Sequence, residues 1–124
     1  DDVRFAVRHI AERINYDFIK THYLNLIALC QFRDIPIVFL TERLQDGDEW
    51  YRPFLNKINK IIRGLGTYNN CFVLDFDAVF PRDPECFVDS MHFSKKGNEA
   101  RAHIVSNYIQ EFLRKRGTFY AQNS

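Results

Sequence analysis

Apolar residues recur along this chain with two different periods. Phe18, Ile19, Tyr23, Leu26, Ile27 and Cys30 fall at three- and four-residue steps, the spacing of one face of a helix. The pattern predicts a helix over about residues 17–32, with Asp17 and Arg33 at the ends that suit its dipole. Ile35-Pro36-Ile37-Val38-Phe39-Leu40-Thr41 is instead a short, nearly continuous apolar run rich in β-branched residues. Such a run marks a strand buried on both faces of a parallel sheet, and Pro36 is tolerated near its start. Residues 42–49 are polar and carry the turn Asp46-Gly47-Asp48. Trp50, Phe54, Leu55, Ile58, Ile61, Ile62 and Leu65 then predict a second amphipathic helix, with Pro53 in its first turn and Gly64 and Gly66 ending it. After Asn69-Asn70, Cys71-Phe72-Val73-Leu74-Asp75-Phe76 repeats the strand pattern.

The two ends of the chain carry further helical patterns. Val3, Ala6, Ile10 and Ile14 form one stripe, interrupted by Arg4, Arg8, His9 and Arg13, which fits either a polar helix or an ordered loop. Ala100, Ala102, Ile104, Val105, Tyr108, Ile109, Phe112 and Leu113 make a long closing helix, with Lys115 and Arg116 expected as a dipole-matched C-terminal end. The order helix, strand, helix, strand, loop, helix predicts a right-handed α/β arrangement, a parallel sheet with helices on both faces.

At 124 residues the chain has the size of one domain. Hydrophobic residues at 46% and charged residues at 27% are those of an ordinary soluble globular protein. Twelve Phe and six Tyr sit mostly at helical or strand spacing and read as core. A net charge of +1 invites neither nucleic acid nor an anionic membrane. No apolar run approaches the roughly 20 residues that span a bilayer. Cys30, Cys71 and Cys86 lack metal-ligand spacing and are odd in number, which favours free thiols and a cytoplasmic over a secreted setting. The chain begins at Asp1 without Met, so a fragment or a processed product is expected and the missing leader does not fix the compartment.

The chemistry concentrates at Asp89-Ser90-Met91-His92-Phe93-Ser94-Lys95-Lys96-Gly97. An Asp that binds one ring nitrogen of a His fixes the tautomer and leaves the other nitrogen to take a proton from a nucleophile. In a parallel α/β sheet, ligands bind beyond the carboxyl ends of the strands, where this loop is expected. Ser94 is a natural N-cap for the closing helix. The stretch resembles the C-terminal signature of the SGNH (GDSL-type) hydrolases, Asp-x-x-His-Leu-Thr-x-x-Gly, and the order of elements before it is similar to the C-terminal half of that family, up to about Arg116.

The resemblance implies a three-layer flavodoxin-like parallel sheet, of which this chain would supply about the last two strands. It implies a serine ester hydrolase without a cofactor, in which His92 is general base and Asp89 orients it, an assistance worth about 10²–10⁴-fold in rate. The substrate would be a small-molecule, carbohydrate or lipid ester, with Met91, Phe93, Glu42 and Arg43 as candidate contacts or as packing residues. The family's nucleophile motif Gly-Asp-Ser and its Gly-x-Asn-Asp motif are both absent, and Ser90, Ser94, Ser106 and Ser124 stand elsewhere. Asp1-Asp2 precede Ile35 by about 33 residues, the distance expected of that Asn-Asp, so the chain is read as starting at or after it. Its strands would then leave an edge uncovered, calling for a missing N-terminal portion or for self-association.

Two other classes compete. Leu74-Asp75-Phe76-Asp77 resembles the first motif of haloacid-dehalogenase-type phosphatases, with Asp75 as nucleophile and Asp77 beside it on Mg²⁺, but Ala78 stands where that family has Gly. A non-catalytic α/β binding or assembly module fits the missing serine. A metal at Asp89 and His92 would lack a third protein ligand, and His9, His22 and His103 are not spaced to supply one.

Overall fold

The computed structural model describes residues 2–47 and 51–123. Two short strands lie at its centre. β1 (Ile37–Leu40) and β2 (Cys71–Leu74) pair in parallel, with Ile37 opposite Cys71 and Leu40 opposite Leu74. Both fall inside the apolar runs that predict them. Around them stand α1 (Asp2–Arg13), α2 (Tyr16–Phe32), α3 (Arg52–Gly64), the short α4 (Phe76–Val79) and α5 (Lys95–Asn123). The first segment, open between helix and loop in the sequence, is a helix. Asp48, Glu49 and Trp50, read from sequence as part of a turn and the start of the second helix, lie outside the described residues, as does Asp1.

Local chemistry sets the element ends. Asn15 caps α2, its side-chain oxygen accepting from the Phe18 amide at 3.1 Å. The helix stops where Asp34 takes the left-handed conformation, φ 53°, so that the Ile35 amide turns back to the Cys30 carbonyl at 2.8 Å. Pro53 lies in the first turn of α3, where its missing N–H costs nothing. β2 ends two residues earlier than its apolar run. The Asp75 carbonyl accepts from the Ala78 and Val79 amides and starts α4, a turn of helix that the strand pattern conceals.

Alternation along the strands divides the core. Ile37, Phe39, Cys71 and Val73 face α2 and α3, packing with Ile27, Ile58, Ile62 and Leu65. Tyr23 meets Phe39 edge-on at 5.6 Å. Val38, Leu40 and Leu74 face the other way, with Phe76, Phe80, Cys86 and Phe87, under Ala100, Ile104, Val105 and Tyr108 of α5. A fully buried side chain such as Leu65 contributes about 1.5–3 kcal/mol relative to exposure.

The expected three-layer flavodoxin-like sheet is not formed. The chain is mostly helical, at 65%, and among the described residues its sheet has two strands. The physical reason is that only two apolar runs lack helical spacing, and each pairs over just four residues. The closing helix differs too. It continues to Asn123, so Lys115 and Arg116 lie within it rather than at its end. Lys115 pairs with Glu111 at 3.6 Å, and Arg116 reaches Asn70 Oδ1 at 3.1 Å. No helix among the described residues is long and apolar enough to cross a membrane.

A buried polar residue fixes the loop after β1. Asn59, on α3, has no exposed surface. Its side-chain oxygen accepts from the Glu42 amide at 2.7 Å, and its nitrogen donates to the Glu42 carbonyl at 2.8 Å. Both backbone groups are thereby satisfied where the strand ladder has ended, and losing such partners in a buried setting costs about 1–3 kcal/mol per group.

Candidate functional site

The loop carrying Asp89 and His92 is built by the start of α5. Ser94 is its N-cap: Ser94 Oγ accepts from the Gly97 amide at 3.1 Å and donates to the Glu85 carbonyl at 2.6 Å. The Ser94 amide donates to the Cys86 carbonyl at 2.9 Å. Gly97 is buried against that same carbonyl, and a Cβ there would overlap its oxygen. Lys96 adds a charged clamp, 2.7 Å from Asp83 and 2.6 Å from Glu85. The two carboxylates hold its ammonium above the usual Lys range, Asp83 contributing most.

From this base the chain closes a short loop. Phe87 and Phe93 form an antiparallel bridge, and the Val88 amide donates to the His92 carbonyl at 2.9 Å. Phe93 sits among Phe76, Phe80 and Phe87, at 5.1–6.3 Å between ring centres. It anchors the loop in the core. The Gln45 amide donates to the Ser90 carbonyl at 3.1 Å, tying this loop to the one that follows β1.

At the loop's tip Asp89 gathers three donors. Its Oδ1 accepts from the Met91 amide at 2.8 Å and the His92 amide at 2.7 Å. His92 Nδ1 lies 2.8 Å from Oδ2 and 3.0 Å from Oδ1. The Met91 and His92 amides, then the His92 ring, hold the Asp89 carboxyl down at about 2. A carboxylate accepts only, so the neutral ring must carry its proton on Nδ1 and present a bare Nε2. Because the carboxyl is depressed, its support of the loop is complete above the ordinary Asp range and is lost as pH falls through about 2. The imidazole is open to solvent, its side chain 75% exposed. An oriented imidazole of this kind can take a proton from a nucleophile brought to it.

The remaining sequence candidates separate. Met91 is exposed beside His92. Glu42 points outward while its backbone is clamped by Asn59. Arg43 is buried and pairs with Asp46 at 3.1 Å and Asp77 at 3.3 Å. Phe93 packs in the core, as described. None of Glu42, Arg43 and Phe93 is joined to the Asp89–His92 pair by a hydrogen bond or ring contact.

Asp75 and Asp77 are already engaged. Arg63 binds Asp75 through two bonds of 2.9 Å and Asp77 at 3.2 Å, while Thr41 Oγ1 donates to Asp75 at 2.9 Å and accepts from the Asp77 amide at 2.9 Å. Arg63, with Thr41 second, holds the Asp75 carboxyl below the usual carboxylate range. Mg²⁺ needs carboxylate oxygens of its own, and here the guanidiniums occupy them. Among the described residues no three His, Cys, Asp or Glu side chains stand together to hold a metal. The Arg63 and Lys96 pairings escape a reading of sequence because their partners lie far apart in the chain and follow no repeat.

No family model, curated protein or solved structure matches this chain.

Replacing Gly97 by Ala forces the helix start away from the Cys86 carbonyl. Overpacking of this kind costs about 1–3 kcal/mol, so urea denaturation should show a loss of that size. A Gly97→Ala protein as stable as the parent would contradict the role given to this contact.

Proposed function

We propose that Asp89 and His92 form the base half of a serine ester hydrolase site of the SGNH type, with His92 Nε2 as general base and Asp89 as the carboxylate that orients it. The observation that carries this reading is the 2.8 Å contact of His92 Nδ1 with an ionised Asp89, made on a loop that the capped start of α5 holds in place. The serine and the oxyanion hole come from outside these residues. Ser94 is committed to capping, and Gly-Asp-Ser occurs nowhere in the sequence. The substrate is a small-molecule, carbohydrate or lipid ester.

In hydrolysis, Nε2 would accept the serine proton as its oxygen attacks the ester carbonyl and give it to the leaving alcohol. Water, deprotonated by the same nitrogen, would then attack the acyl-serine, releasing the acid and returning the proton to the serine. Asp89 stays ionised throughout and stabilises the imidazolium. The complete gene product should therefore react with a fluorophosphonate at a serine beyond these 124 residues. His92→Ala should slow p-nitrophenyl acetate hydrolysis by about 10²–10⁴-fold. Full turnover in His92→Ala, or a gene product without a reactive serine, would sink the assignment.

A second reading, an assembly module, is favoured by the outer face of α2. Phe18, Leu26, Leu29 and Phe32 share that face and are exposed, Leu29 at 67% and Phe32 at 84%. A helix apolar on both faces expects cover on both. The four side chains expose apolar surface on the order of 500 Å², a size that marks interaction sites. With a polar rim, such a patch approaches the roughly 800 Å² per partner of a stable interface. The occupant we infer is a second copy of the chain, its α2 packed on this one. Light scattering on these 124 residues should give a dimer mass that falls to monomer in Leu29→Asp. A parent chain that stays a stable monomer when dilute would rule this out.

A further inference from the structure

Three arginines from separate parts of the chain converge on one carboxylate, in an open cleft of about 610 Å³. Arg43 follows β1, Arg52 begins α3 and Arg82 lies in the loop after α4. All three approach Asp46. We propose that this cleft binds a phosphoryl group, for which the Asp46 carboxylate is an internal stand-in. The proposal does not rest on the hydrolase reading, since neither Asp89 nor His92 lines the cleft.

The geometry shows how poorly a carboxylate serves three guanidiniums. Arg43 Nη2 lies 3.1 Å from both Asp46 oxygens. Arg52 Nη2 then reaches Oδ1 only at 3.4 Å, with the Gln45 carbonyl at 3.5 Å, and Arg82 Nη1 stands 3.9 Å from Oδ2. The Asp46 carboxylate meets Arg43 closely and leaves Arg52 and Arg82 at long range. A phosphoryl group offers three oxygens in different directions, and forked guanidiniums suit it.

Charge points the same way. Arg43 has a side chain only 2% exposed, and its Nε finds no acceptor among the described residues. Its other partner, Asp77, bonds Nη1 through Oδ1 at 3.3 Å, while Asp77 Oδ2 is taken by Arg63 at 3.2 Å. The described residues lining the cleft thus bring three arginines against two carboxylates, one of them shared with a fourth arginine. Arg52 and Arg82 reach Asp46 only at 3.4 and 3.9 Å, and an added dianion supplies the oxygens they lack. Asn56, on the same wall, is a further hydrogen-bonding group.

Isothermal titration calorimetry of the whole chain at low ionic strength tests this, with inorganic phosphate, glycerol 3-phosphate and acetate as probes. Phosphate should bind saturably at one site and acetate should not. Tighter binding of glycerol 3-phosphate would mark a phosphorylated small molecule as the ligand, and equal binding would mark the free ion. Asp46→Asn removes the internal competitor and should tighten phosphate binding several-fold. Arg82→Ala should weaken it at least fivefold, and because that side chain is 77% exposed the change leaves the fold intact. Absence of saturable phosphate binding in the parent chain, or binding unaffected by both Arg52→Ala and Arg82→Ala, would overturn the proposal.

Discussion

The carbonyl oxygen of Cys86 lies where the side chain of residue 97 would be, and much of the loop chemistry follows from that contact. Only glycine lets the first turn of α5 come so close. The same carbonyl accepts the Ser94 amide, and Ser94 caps the helix while gripping Glu85. Helix start and preceding turn are therefore one rigid piece. The chain between Cys86 and Ser94 has to close on itself, and it does so through the Phe87–Phe93 bridge. At the tip of that closed loop, two residues, Ser90 and Met91, separate the carboxylate from the imidazole it holds.

Two supports keep the loop from moving as a free arm. Phe93 and Phe87 are sunk among Phe76 and Phe80 beneath α5. Gln45 bonds to Ser90 from the other side, and its own loop is fixed by Asn59. The residues after β1 and those after β2 are thus locked to one another beyond the carboxyl ends of the strands. The arginine cleft and the imidazole both project from this joined region.

Much of the local structure was legible in the sequence. The two strands lie within their apolar runs, α3 follows its stripe, α2 forms where expected although Phe18 and Leu26 of its stripe are exposed, and the spacing of Asp89 and His92 matches the pair that the loop brings together. The wider architecture was not legible. Two buried strands suggested a layered sheet, but no pattern in the chain supplies further strands, and the result is mainly helical. The α4 turn was hidden because Phe76 is apolar in strand and helix alike, while the carbonyl and carboxylate of Asp75 decide which forms. Arg43, a candidate contact or packing residue for the Asp89–His92 site, is held away from it in ion pairs with Asp46 and Asp77. Asn59, Lys96 and Arg63 were silent because their partners come from other elements, and single-chain periodicity carries no trace of such pairings.

Asp89 dictates which nitrogen of His92 carries the proton. Long-range ¹H–¹⁵N NMR on the chain labelled at histidine measures this directly. In the neutral ring, His92 should carry its proton on Nδ1 and leave Nε2 bare, and Asp89→Ala should abolish that preference. A His92 ring protonated on Nε2 in the parent chain, or one unchanged by Asp89→Ala, would contradict it.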